Sequence, residues 1–245
     1  DMMADSCMFA PPVWDVDSET GLDHCNIKWI EEGPGLGKMP DATWKAIEDI
    51  SDWRNAVTLP DPATLDWEKL AHEFFNSSRY DESKALVYRI NTHGLFLIPI
   101  NMMGWVDGLC AIYEDKKSYC EFLDYLCSYL CDLIKYGAPY FKPDIICSGD
   151  DVCGGDGPFV SREMFREIYK PLFQRCINAI HEVGALGEFH CCGNNGYLIE
   201  ELIDMGWDIA QLPMPNEQLL ADKKRFGDRL VITGGWARNG AASLE

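Results

Sequence analysis

A chain of 245 residues, 47% of them hydrophobic, can bury one sizeable core, which excludes global disorder and suits a single large domain spanning residues 1–245. Its 40 acidic residues against 21 basic ones leave a net charge of −19, and such a surface repels phosphate backbones and anionic lipid, so nucleic acid and membrane are excluded as partners. No apolar run approaches the roughly 18 residues of a membrane span, and no signal-peptide pattern opens the chain. The 11 cysteines are odd in number and scattered, unlike a disulfide framework, so a reducing, cytoplasmic compartment is expected. Cys127, Cys131 and Cys176 fall on apolar helical faces and read as small buried hydrophobes.

Turn chemistry dominates residues 1–65, with Pro11–Pro12, a Gly/Pro run from Gly33 to Gly37, and Pro40, Pro60 and Pro62. Short strands are expected near Cys7–Phe9 and Asn26–Ile30, and a helix over Leu65–Phe75. Ala85–Ile90 reads as a strand, followed by the apolar Leu95–Ile100. Tyr119, Leu123, Leu126, Leu130 and Ile134 recur at helical spacing and predict a helix over Lys116–Tyr136. Asp144–Cys147 is the next strand. Ser161 then caps a helix whose apolar face is Met164, Phe165, Ile168, Leu172, Cys176 and Ile180, kinked at Pro171 and ended by Gly184. There follow a strand at Leu186–Cys191, a helix at Tyr197–Met205 ended by Gly206, a strand at Asp208–Leu212, a helix capped by Asn216 and ended by Gly227, and a strand at Arg229–Thr233.

Strand and helix alternate with short connections, which implies parallel strands joined by right-handed crossovers. A closed barrel and an open doubly wound sheet both satisfy that pattern. The lack of a Gly-rich dinucleotide turn lowers the second. The expectation is an α/β fold, a (β/α)8 TIM-like barrel. Because the chain starts abruptly at Asp1 and stops at Glu245, the barrel is expected to be truncated at both ends.

The strongest chemical signal is Glu188-Phe189-His190-Cys191-Cys192-Gly193-Asn194, at the C-terminal end of a predicted strand. Alternation puts Glu188, His190 and Cys192 on one face and Cys191 on the other. An imidazole and a thiolate two residues apart can ligate one zinc ion; the competing reading is a core histidine and a buried cysteine with no metal. Glu188 lies about 7 Å deeper along the strand, at about 3.3 Å per residue, so it is placed behind the ligands rather than among them. A second signal, Ser148-Gly149-Asp150-Asp151, also ends a strand. Asp150 and Asp151 are candidate catalytic groups that could supply a proton or support a metal, against the alternative of a solvated acidic turn. Candidate substrate contacts are Asn101 in the Pro99–Trp105 segment, His93 in a loop, Glu188, and Trp236 after the Gly234-Gly235 pair.

Together these segments resemble the uroporphyrinogen decarboxylase superfamily, most clearly over residues 140–236. The resemblance rests on Gly149-Asp150-Asp151, on Gly157–Ser161 leading to Phe165-Arg166-Glu167 and Lys170-Pro171, on Ala179–Ala185, on His190–Asn194, and on Lys224–Leu230 before Gly234-Gly235. The H-x-C-G-N pattern is similar to that of the corrinoid-dependent, methylcobamide:coenzyme M type methyltransferases. In those relatives a His and a Cys bind zinc, and a further Cys near the chain's end completes the protein ligands. The matching residues here are His190 and Cys192. The resemblance implies zinc as cofactor, a corrinoid (cobamide) carried by a partner protein, and a small-molecule methyl donor or acceptor, whether a thiol or a methoxylated or methylamine compound. The missing ligand is expected from beyond Glu245 or from a substrate thiol. Two alternatives remain: a cofactor-free tetrapyrrole decarboxylase, disfavoured by the absence of an Arg-rich N-terminal segment, and a non-catalytic barrel.

Overall fold

A computed structural model describes residues 6–33, 37–91, 93–212 and 219–234. Six strands form one sheet: β1 (Ser6–Phe9), β2 (Ala85–Asn91), β3 (Ile145–Gly149), β4 (Leu186–His190), β5 (Ile209–Leu212) and β6 (Val231–Gly234). They neighbour one another in chain order and every pairing is parallel. Sequential parallel order is what a (β/α) barrel requires and what a doubly wound sheet, with its reversal of strand order, does not have. The expected closure into eight strands is not seen among the described residues. Among the described residues β1 and β6 are the two edges of the sheet, and six strands are two short of the eight of the expected barrel.

The central strands β2 and β3 are rich in Ile, Val and Cys and are buried on both faces, as parallel strands covered by helices must be, while the edge strand β6 is more exposed. The covering helices are α1 (Trp67–Phe75), α2 (Leu97–Met103), α3 (Trp105–Glu114), α4 (Lys116–Phe141), α5 (Lys170–Glu182), α6 (Leu198–Met205) and α7 (Leu219–Phe226). The apolar stretch at Leu95–Ile100, for which the pattern set no element, opens α2, and Gly104 at φ +84° breaks the chain between α2 and α3. α4 starts where Asp115 accepts a hydrogen bond from the Ser118 N–H, and it runs five residues past its expected end at Tyr136. Phe141, in its last turn, stacks on Phe9 of β1 at 3.9 Å, which explains the extension: the final turn is held by core packing.

Ser161 caps the next helical run as expected, its hydroxyl accepting from the Met164 N–H. The run carries Pro171 in the first turn of α5, the position that a proline tolerates. It passes through a π-helical turn over Phe165–Tyr169 immediately before α5, where one wide turn absorbs the hydrogen bond that the proline cannot donate. The Asn216 cap predicted for α7 lies outside the described residues, as does Trp236. An antiparallel hairpin of Trp29–Gly33 with Gly37–Pro40 and a small one of Cys153–Gly154 with Gly157–Pro158 stand apart from the main sheet. No helix among the described residues is long and apolar enough to cross a membrane.

Candidate metal centre

The centre is built at the C-terminal ends of β3, β4 and β5. On β4, Phe189 marks the outer face: it packs edge-on against Phe173 of α5 and Trp207, each at 5.1 Å. A two-residue period then sends Glu188 and His190 to the opposite, interior side. Parallel pairing sets His190 opposite Gln211 of β5. The His190 Nδ1 meets the Gln211 Oε1 at 2.5 Å. With Nδ1 donating that proton, the lone pair of the ring is at Nε2, the arrangement that orients a metal-binding imidazole.

Two groups face that lone pair. The Cys192 Sγ lies 3.5 Å from His190 Nε2, and the Asp151 Oδ1 lies 3.8 Å from it. The Asp151 oxygen also accepts a hydrogen bond of 2.6 Å from the Cys192 N–H, locking the two loops together. All three donor atoms fall within 4.8 Å of one another. A tetrahedral zinc with bonds of about 2.05 Å to nitrogen and about 2.3 Å to sulfur needs an N···S edge of about 3.6 Å, close to the separation present. Imidazole, thiol and carboxylate leave one coordination position open, as catalytic zinc sites do. The residues therefore fit a zinc ion.

The two aspartates that follow β3 part company. Its end is held by Asn91, whose amide both donates to the Gly149 carbonyl at 2.9 Å and accepts from the Gly149 N–H at 3.0 Å. Asp150 turns inward and accepts from the Phe96 and Leu97 N–H groups at 2.7 and 3.2 Å, capping α2. Its carboxyl is pushed up to about 7 by burial, against the pull of those backbone donors. Only Asp151 reaches His190 and Cys192. Asp150→Ala is therefore expected to destabilise the fold by roughly 2 kcal/mol, through two buried amides left without an acceptor, while zinc binding survives. Denaturation together with metal analysis separates those two effects.

A cavity of about 510 Å³ opens beside the centre. Asp151 and Cys153 form its wall on the metal side, and Trp44, Leu97, Ile100, Trp105 and Phe159 make most of the rest apolar and aromatic. Asn101 and His93 also line it; the Asn101 Nδ2 and the His93 Nδ1 are buried with no hydrogen-bond partner. Glu188 does not line it. That residue is 0% exposed beneath the centre, and burial pushes its carboxyl up, against the pull of the Cys147 thiol and of Arg89. Cys191 is likewise fully buried. Gln211 escaped the sequence reading altogether; its only trace was a polar residue inside an otherwise apolar strand.

His93 gives the site a pH signature. Burial lowers its imidazole from 6.5 to about 4, and its ring packs on Trp29 at 4.7 Å. Between those two values the unfolded chain binds a proton that the folded chain does not, so stability rises with pH across that window and is lost as pH falls through it. His93→Phe is expected to flatten this limb while leaving stability at neutral pH unchanged or higher. Melting temperatures of both proteins measured across the window test it; parallel curves would refute it.

No protein-family model matches the chain, and no curated protein matches it. Among solved structures, a methyltransferase from Methanosarcina mazei matches it with a TM-score of 0.63 over 95% of this chain, at 14% sequence identity. The chain spans 65% of that protein's length. At this identity the likeness shows that the two share a fold.

Proposed function

We propose that this protein is a zinc-dependent methyltransferase that moves a methyl group between a corrinoid protein and a thiol or a methylated small molecule. The observation that carries the reading is the convergence of Asp151, His190 and Cys192 on one point, with the His190 ring fixed by Gln211. The fold shared with a methyltransferase supports it, as does the His190–Asn194 motif. The corrinoid partner comes from that motif's resemblance alone.

Zinc held by these three residues would lower the pKa of a thiol at the open position and favour its thiolate, the nucleophilic form. The chain's own residues do the rest. Cys192 and Asp151 contribute negative charge, which offsets the cation and leaves the sulfur electron-rich. Gln211 orients the imidazole so that Nε2 faces Cys192 and Asp151. The Trp44, Trp105 and Phe159 walls give the reacting carbon apolar surroundings, and the unpartnered Asn101 amide offers a donor to a polar substrate group. Methyl transfer to sulfur would form the S–C bond as the Co–C bond breaks, its electron pair staying with the corrinoid of the partner, while the thiol proton passes to solvent. Among the described residues no Arg or Lys lines the cavity, so a tetrapyrrole with many carboxylates finds no cationic floor in them, which disfavours the decarboxylase alternative.

The test is transfer from methylcobalamin to a small alkanethiol, with and without zinc. Zinc-dependent loss of the methyl–cobalt spectrum is expected; a protein that binds no zinc, or reacts equally without it, overturns the reading. Gln211→Leu is expected to weaken zinc about 10- to 100-fold, because the ring loses its anchor while the ligands remain. Competition against a chelator measures this directly.

A further inference from the structure

Away from the sheet, α4 and α5 bring three cysteines together. Cys127 and Cys131 are one turn apart on α4, and Cys176 faces them from α5. Their sulfurs all lie within 4.8 Å of one another. Cys127 and Cys176 are 0% exposed, while Cys131 is half-buried and opens the group to solvent. The Cys127 and Cys176 sulfurs are 3.9 Å apart, too far for a disulfide, whose S–S bond is about 2.05 Å. A zinc ion with bonds of about 2.3 Å to sulfur sets S···S edges at about 3.8 Å, near the distance present.

We propose that Cys127, Cys131 and Cys176 form a second metal site, for a soft thiophilic dication such as zinc, that ties α4 to α5. Three sulfurs supply three corners of a tetrahedron, and water entering beside Cys131 can complete it. Binding releases the thiol protons as the sulfurs become thiolates. Arg175, paired with Asp124 and donating to the Ser128 hydroxyl at 2.8 Å, stands at the edge of the group. Its positive charge offsets the net negative charge of three thiolates around one dication. Mere apolar packing accounts for two thiols in contact. It does not account for a third, partly open to water, completing a triangle beside a guanidinium. The site lies on the helical layer, shares no residue with the centre at Asp151, His190 and Cys192, and does not depend on the function proposed for it.

The experiment measures zinc per chain in the full-length protein, kept reduced and dialysed against zinc. About two ions are expected in the wild type, about one in Cys192→Ala, and none in Cys192→Ala with Cys131→Ser. Cys131 is chosen because its half-buried position tolerates a hydroxyl. Cadmium added to Cys192→Ala is expected to give thiolate-to-metal charge-transfer absorption that the double variant lacks, and zinc to raise the melting temperature of the first but not of the second. If Cys192→Ala binds neither zinc nor cadmium, or if Cys131→Ser changes neither stoichiometry nor absorption, the proposal is overturned. A wild type holding one ion that Cys192→Ala retains and Cys131→Ser loses would uphold it while refuting the centre at Cys192.

Discussion

Cys192→Ala is expected to remove zinc from the centre beneath the cavity and to lower methyl transfer by at least about a thousandfold. The effect is large because the ligands act as a unit. Without the sulfur, an imidazole and one carboxylate remain, and two protein ligands hold zinc poorly against water. Asp151→Ala should come close to it in size, since its carboxylate supplies the third donor and also accepts the Cys192 N–H at 2.6 Å. Asp151→Asn separates the two roles: its amide oxygen can still accept that hydrogen bond, but the charge is gone. Cys191→Ser is the contrasting case. Cys191 is fully buried and its thiol lies beside Cys153, outside the donor triangle. A hydroxyl there should cost about 1–2 kcal/mol of stability and leave the metal in place. Metal analysis and the transfer assay on the same preparations decide the matter. Full activity in Cys192→Ala, or zinc loss in Cys191→Ser, would sink the assignment.

The shared side of Glu188 and His190 was legible because strand alternation is local. Once Leu186–His190 is recognised as a strand, His190 and Glu188 must share a side. What closes the site was not legible, because it depends on partners far along the chain. Gln211 meets His190 only through the register between β4 and β5. Neither periodicity nor composition specifies that register. Asp150 and Asp151 could not be told apart for a different reason. They follow the last residue of β3, where the extended period no longer holds, and the choice between them is made by α2, whose first amides capture Asp150. Asp151, which completes the donor triangle, stands 39 residues before His190 on the neighbouring strand's loop, whereas the sequence pointed for a further ligand beyond Glu245 or to a substrate thiol. The cysteines of α4 and α5 show the same limit. Each sits on an apolar face and reads as packing, and only the docking of the two helices makes them a group.

Gly193→Ala is expected to destabilise the protein by roughly 2–4 kcal/mol and to disturb the centre with it. Gly193 has φ +84°, where an L side chain is strained by about 1 kcal/mol. A β-carbon there would also lie 2.5 Å from the Gly154 carbonyl oxygen and 2.7 Å from that of Cys153. These are backbone atoms of a short hairpin, so no side chain can swing aside. The Asn194 N–H donates to the same Gly154 carbonyl at 2.8 Å, so the two loops touch at this point. Pushing them apart moves Cys192, one residue away, relative to Asp151, which precedes that hairpin. A displacement of even half an ångström matters when the donor atoms must meet a single ion. Zinc affinity should therefore fall with stability, although neither ligand has been changed. Gly155→Ala is the control: it lies in the same hairpin, and a β-carbon there meets nothing within 4 Å. Its expected change is within about 0.5 kcal/mol. Urea denaturation of both variants, with zinc titration of each, distinguishes a backbone contact that shapes the site from a glycine present only for the turn. Equal stability and equal zinc affinity in the two would mean that the loops approach each other without the contact mattering.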